Sequence, residues 1–226
     1  MLINYFHKLT KNVVLLGFIS FSLSVSAGSY EDFFNAIRND EVKVVSSLLA
    51  RGFDPNTLNL NAEPAILNCL VHGSFQTFEL IAKHPKTQLN VRNTHGESPL
   101  MLLSLKGHLQ LAKLLVSKQA DINHPGWTPL HYAATGGHVE IIQLLLDESA
   151  YIDAESPNGS TPLMMAARYG NLKSVQLLLD EGADFQHKNQ LGLNALDFAK
   201  QGKRPDAIKL LEAAMKLSKG DANNQK

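Results

Sequence analysis

The sequence predicts an all-α protein, a solenoid of about six stacked helix-turn-helix units joined by short β-hairpin loops. Three observations predict it. The phrase Thr128-Pro-Leu-His-Tyr-Ala-Ala134 returns 33 residues later as Thr161-Pro-Leu-Met-Met-Ala-Ala167. A second phrase follows each copy, Gly137-His-Val-Glu-Ile-Ile-Gln-Leu-Leu-Leu146 and then Gly170-Asn-Leu-Lys-Ser-Val-Gln-Leu-Leu-Leu179. Weaker copies align on Asp40, Gly73, Gly107, Gly137, Gly170 and Lys203, at intervals of 33, 34, 30, 33 and 33. Self-similarity at that period is the mark of a stacked-repeat architecture.

The units are expected at about residues 28–60, 61–95, 96–125, 126–158, 159–191 and 192–217, with a disordered polar tail at 218–226. The first begins Tyr30-Glu-Asp-Phe-Phe and carries polar Arg38, Asn39, Asp40 and Glu41, as an N-terminal cap with a wetter outer face would. The second has Asn68 where Tyr132 stands in the clearer copy. The third has Met101, Leu102, Leu103 and Leu105, bulkier than the later alanines, so it must change the local curvature or fill a gap. In the fourth and fifth, Thr128 and Thr161 are placed to cap a helix, and Pro129 and Pro162 suit its first position. Leu130, Ala133 and Ala134 then share a face. Gly137 and Gly170 are expected to end the first helix of each pair. Val139, Ile142, Leu145 and Leu146 form the expected buried stripe of the second. The sixth replaces Thr-Pro-Leu-His with Asn194-Ala-Leu-Asp and reads as a C-terminal cap. Helices this short are marginal alone, so stability has to come from stacking.

These phrases resemble those of the ankyrin-repeat family over residues 31–217. The resemblance implies that Gly52-Phe-Asp-Pro-Asn56, Gln119-Ala-Asp-Ile-Asn123, Ser149-Ala-Tyr-Ile-Asp153 and Gly182-Ala-Asp-Phe-Gln186 lead into finger-like hairpin loops. It implies that His131 ties hairpin backbone to helix, and that His108 and His138 are structural. It also implies a non-enzymatic scaffold that binds another protein on a concave face and its fingers.

The first 27 residues form a separate object. Lys8 and Lys11 precede the apolar run Val13–Val25, and Val25-Ser-Ala27 ends it with a small residue. Basic, apolar, small is the order of a secretory signal peptide, with cleavage expected after Ala27. The apolar run is shorter than the roughly 20 residues that span a bilayer. The expected destination is a bacterial periplasm, with secretion beyond the envelope as the alternative. Cleavage leaves 19 basic against 21 acidic residues, which gives no electrostatic case for nucleic acid or an anionic membrane. The single cysteine, Cys69, aligns with Ala133 and reads as a buried small hydrophobe. A capped array is expected to be a monomer.

No catalytic, metal or cofactor motif is expected. The nine histidines show no His-Glu-x-x-His, and there is no cysteine pair, no Gly-x-Ser-x-Gly and no phosphate loop. Candidate partner-binding residues are positions that the repeat leaves free. On the fingers they are Arg92, His95 and Glu97, then Trp127, then Glu155, Asn158 and Ser160, then Lys188 and Gln190. On the helices just before each glycine they are Lys106, Thr135, Arg168 and Tyr169. The short interval between Gly107 and Gly137 truncates the third finger, where Asn123-His-Pro-Gly-Trp127 leaves a notch with the only tryptophan at its base. His95, Trp127, Asn158, Arg168 and Tyr169 are the expected centre of a binding groove, tryptophan and arginine being common interface anchors. Trp127 could instead pack over a helix edge to shield the short loop. Other readings are a secreted effector acting on host proteins, or a small-molecule sensor or enzyme using the notch.

Overall fold

The computed structural model describes residues 28–224. The expected signal peptide, residues 1–27, lies outside them. The fold is all-α, with helix pairs in two compact bodies that divide between Thr87 and Gln88. No described helix is long and apolar enough to cross a membrane.

The N-terminal body holds α1 (28–38), α2 (Val42–Ala50), α3 (Ala65–His72) and α4 (Phe75–Lys83). Phe33 sits at its centre, with ring centroids of Phe34 and Phe53 at 5.4 and 4.5 Å. Asp40 does more than wet an outer face. Its carboxylate accepts the backbone N–H of Thr77 at 2.8 Å, so the first repeat caps the second helix of the next. Cys69 is fully buried, and burial pushes its thiol pKa up, as an inert core residue requires.

The C-terminal body holds α5 (Pro99–Lys106), α6 (Leu109–Ser117), α7 (Pro129–Gly136), α8 (Val139–Asp147), α9 (Pro162–Arg168), α10 (Leu172–Asp180), α11 (Ala195–Gln201) and α12 (Pro205–Asn224). First helices α5, α7, α9 and α11 pack in succession, and α6, α8, α10 and α12 do the same behind them. Thr128 and Thr161 cap as expected, with Pro129 and Pro162 in the first turn. The cap is reciprocal in each repeat, but the returning atom changes. His131 Nδ1 serves the Thr128 N–H, whereas Met101 and Met164 use sulfur and Asp197 uses a carboxylate oxygen.

Several expectations are corrected. In α8 the fully buried residues are Ile141, Ile142 and Leu145, while Val139 and Leu146 are only partly covered. The stripe is shifted because α8 has neighbours on two sides, α7 and α6 among them. Gly137 closes α7 in the left-handed conformation, but the last residue capping α9 is Tyr169. Gly170 is there for a different reason: a Cβ on it would lie 2.5 Å from the Ala134 carbonyl oxygen and 2.8 Å from Ser174 Oγ. The final helix runs to Asn224 through most of the expected disordered tail, since no proline follows Pro205 to stop it.

The fingers make no β-ladder. Among the described residues there is no strand, and the one bridge recorded pairs Leu58 with Pro64. Each full finger ends in a tight hairpin turn closed by two backbone hydrogen bonds: Asn59 N to Glu63 O with Ala62 N to Asn59 O, Asn93 N to Glu97 O with Gly96 N to Asn93 O, Ser156 N to Ser160 O with Gly159 N to Ser156 O, and Asn189 N to Leu193 O with Gly192 N to Asn189 O. A residue with positive φ precedes the last position each time: Ala62, Gly96, Gly159 and Gly192. Side-chain oxygens of Asn59, Asn93 and Asn189 accept two further backbone N–H groups apiece, which holds the tip without strand pairing.

Gly170→Ala is expected to destabilise by roughly 3 kcal/mol, because backbone must move to admit the methyl group. Gly182→Ala, in open space at φ +90, is expected to cost about 1 kcal/mol through backbone strain alone. Urea unfolding midpoints of the two variants check the order.

Candidate functional site

The expected site residues all belong to the C-terminal body, where the turn and cap chemistry above decides which of them face outward. Ser160 does not. It is 1% exposed, its carbonyl accepts from His131 Nε2 at 2.9 Å, and its hydroxyl accepts from Asn189 Nδ2 at 3.2 Å. A residue held from both sides has no surface to offer a partner.

Four other candidates are engaged inside the fold. Arg92 donates to the Gly96 carbonyl at the second finger tip. Glu97 accepts from Asn93 Nδ2 at 2.8 Å and from the Tyr132 hydroxyl at 3.1 Å. Burial, reinforced by that carboxylate, pushes the Tyr132 pKa up to about 12. Thr135 Oγ1 donates to the His131 carbonyl, one helical turn back. Gln190 bridges fingers, its backbone N–H on the Asn158 carbonyl and its side chain on that of Pro157, both at 3.0 Å.

The remaining candidates are open to solvent to different degrees. His95, Lys106, Glu155, Asn158 and Lys188 are exposed. Asn158 Oδ1 accepts from Ser156 Oγ at 2.6 Å, so its amide is oriented by its own turn. Trp127 is packed on one side and open on the other. Its ring meets His131 edge to face at 5.2 Å between centroids, yet 37% of the residue remains exposed. The truncated third finger lacks the tip turn that its neighbours share, and Gly126 lies against the next finger, where an added Cβ would be 3.6 Å from Pro157. Tyr169 is half exposed, with the Arg168 guanidinium centre 5.0 Å from its ring centroid. Arg168 also reaches Gln201 Oε1 at 3.0 Å. The structure thus brings Arg168 and Tyr169 together and leaves Trp127 as a separate anchor one repeat earlier.

Two histidines, His131 and His138, tie neighbouring repeats together. His131 joins its own helix cap to the next finger, and His138 Nε2 lies 2.9 Å from the Leu105 carbonyl of the preceding repeat. Burial lowers the His131 pKa to about 4, so the ring is neutral at pH 7. Among the described residues, no group of three or more His, Cys, Asp or Glu is placed to hold a metal.

A feature missed from sequence lies in the N-terminal body. A cleft of about 730 Å³ opens between α1, α3 and the first finger, lined by Tyr30, Phe34, Asn59, Leu60, Asn68 and Val71. Leu60 is 93% exposed at its mouth. The signal was present in Leu58-Asn-Leu-Asn61, an aliphatic residue at a turn that should be polar.

Repeat phrase, helix pairs and finger turns converge with a match to the family model for ankyrin repeats (3 copies), at residues 33–125, 69–156, 123–189 and 150–223. The chain belongs to the ankyrin-repeat family. Ankyrin repeats generally mediate protein–protein interaction, and proteins built on them are typically non-enzymatic scaffolds. The chain is 39% identical over 109 residues to ankyrin repeat and SAM domain-containing protein 6 of Rattus norvegicus, covering 46% of this chain and 12% of that protein. It is 27% identical over 92 residues to alpha-latrocrustotoxin-Lt1a of Latrodectus tredecimguttatus, covering 41% of this chain and 6% of the toxin. The match therefore spans a small fraction of either relative.

His131 makes stability depend on acid. The unfolded ring protonates near pH 6.5, while the folded one resists until about pH 4. Its contribution is complete above pH 6.5 and is lost as pH falls through that window, by about 3 kcal/mol in all. His131→Asn is expected to be less stable than wild type at pH 7 but to lose less between pH 6.5 and 4.5, as urea midpoints at several pH values would show.

Proposed function

We propose that the chain is an exported ankyrin scaffold that works as a monomer in a bacterial periplasm and grips one protein partner. The grip uses the fingers and first-helix ends of the C-terminal body, without catalysis. One observation carries the reading. Trp127 is partly exposed where the third finger's tip turn is missing, between fingers whose tips are fixed by their own hydrogen bonds, and half-exposed Tyr169 ends the first helix of the next repeat. Fixed loops lose little entropy when a partner docks, so an aromatic anchor among them converts buried area into affinity efficiently. Export is supported by the order of charge, apolar run and small residues in the first 27 positions.

Affinity capture from periplasmic extract tests the surface. A partner retained by wild type is expected to fall by about tenfold or more with Trp127→Ala plus Tyr169→Ala, the variant still folded by circular dichroism at the assay temperature, in keeping with the loss of two anchors. Equal capture by both proteins would remove this surface from consideration. Osmotic-shock fractionation is expected to release a chain beginning at Gly28; recovery from the culture medium instead would favour the secreted-effector reading.

A further inference from the structure

We propose that the partner presents an extended acidic segment, and that Arg168 receives one of its carboxylates. This rests on the protein-binding reading above and names the chemistry of what binds.

Charge in the C-terminal body is sorted by helix layer. The first helices and the turns that follow them (98–108, 128–138, 161–171 and 194–204) carry Lys106, Arg168, Lys200, Lys203 and Arg204 against one carboxylate, Asp197. Asp197 is already committed to the Asn194 N–H at 3.1 Å. The second helices α6, α8 and α10, with their C-terminal caps, reverse the balance. They carry Lys113, Lys118 and Lys173 against Glu140, Asp147, Glu148, Asp180 and Glu181. A chain with formal net charge +0 therefore has a positive first-helix layer over this body. That layer steers an anionic segment toward it and away from the second helices.

Part of this sorting serves the fold. Cations in the last turn complement the helix dipole, which accounts for Lys106 and Lys200 and contributes at Arg168 as well. Arg204 donates to the Gly170 carbonyl. Arg168 is different, because its surroundings hold it ready for an acid that the fold does not supply. Its guanidinium centre lies 5.0 Å from the Tyr169 ring and 6.0 Å from that of Phe198. Its Nη1 donates to the neutral amide of Gln201. No carboxylate partners it among the described residues. A guanidinium has five donors in a planar fork suited to two carboxylate oxygens at once. Aromatic contact fixes that fork in advance, so little side-chain freedom is lost on binding. Half-exposed Tyr169 beside it gives an apolar residue next to the acid somewhere to rest.

The test is fluorescence anisotropy with a labelled peptide of repeated Glu-Phe-Glu-Gly, its Gln-for-Glu counterpart, and a single-stranded oligonucleotide of equal charge. Wild type is expected to bind the acidic peptide, more weakly as salt rises. Arg168→Gln should weaken binding by roughly tenfold and Arg168→Lys by less, because charge is kept while the fork is lost. Lys173→Gln, on α10, should leave it unchanged. No binding, equal binding of the Gln peptide or the oligonucleotide, or no effect of Arg168→Gln would each overturn the proposal. Capture from extract separates it from its foundation. A partner lost with Trp127→Ala plus Tyr169→Ala but kept by Arg168→Gln leaves the surface standing and removes the acidic segment; a partner kept by both variants removes both.

Discussion

No repeat in this chain completes its own hydrogen bonding, and the rest of the structure depends on that fact. Asp40 caps a helix one repeat further on, His131 accepts the burden of Ser160, His138 that of Leu105, and Asn171 Nδ2 that of the Gly137 carbonyl at 2.7 Å. The fingers are linked in the same manner: Asn90, Asn123 and Asp153 each accept a backbone N–H from the following repeat, at 2.9, 2.9 and 3.0 Å. A buried polar group left unpaired costs about 1–3 kcal/mol, so an isolated helix pair would be penalised several times over besides exposing its apolar face. Neighbouring repeats must form together.

This dependence explains which parts of the fold could be read in advance. Thr128, Pro129 and Gly137 act within a few residues of themselves, and a local pattern exposes local roles. Gly170 was misread for the opposite reason. It resembles a helix-ending glycine by position, yet the demand on it comes from the Ala134 carbonyl of another repeat. Asp40 looked like ordinary surface polarity because its partner is 37 residues away. The finger loops keep hairpin turns but not strands: positive φ and side-chain acceptors close each tip so tightly that no ladder of strand length follows among the described residues.

The candidate surface was legible only in part, because positions that the repeat phrase leaves free are of two kinds. Some are free in identity yet consumed by neighbours, as Ser160, Glu97 and Gln190 are. Others, such as Tyr169 and Lys188, answer to nothing in the neighbouring repeat and stay open. Sequence cannot separate the kinds, since the difference lies in what sits one repeat away. Leu60 shows the converse, an exposed apolar tip in a position that a pattern centred on the best-matching repeats passed over.

Histidine and methionine at the third position of the first helices show how the array can vary locally without losing its stack. His131 serves two masters, the cap at Thr128 and the carbonyl of Ser160, and doing so requires two nitrogens on opposite sides of a ring. Met101 and Met164 have one sulfur, which meets the cap N–H at 3.4 and 3.5 Å; at Met101 it also accepts from Arg92 Nη1 of its own finger, and neither sulfur is recorded bridging to the finger beyond. Among these third-position residues, the two-ended link sits directly behind Trp127, whose ring leans on the same histidine at 5.2 Å. A buried, neutral imidazole bonded at both ends thus gives the partly exposed ring of the shortest finger a fixed edge to pack on.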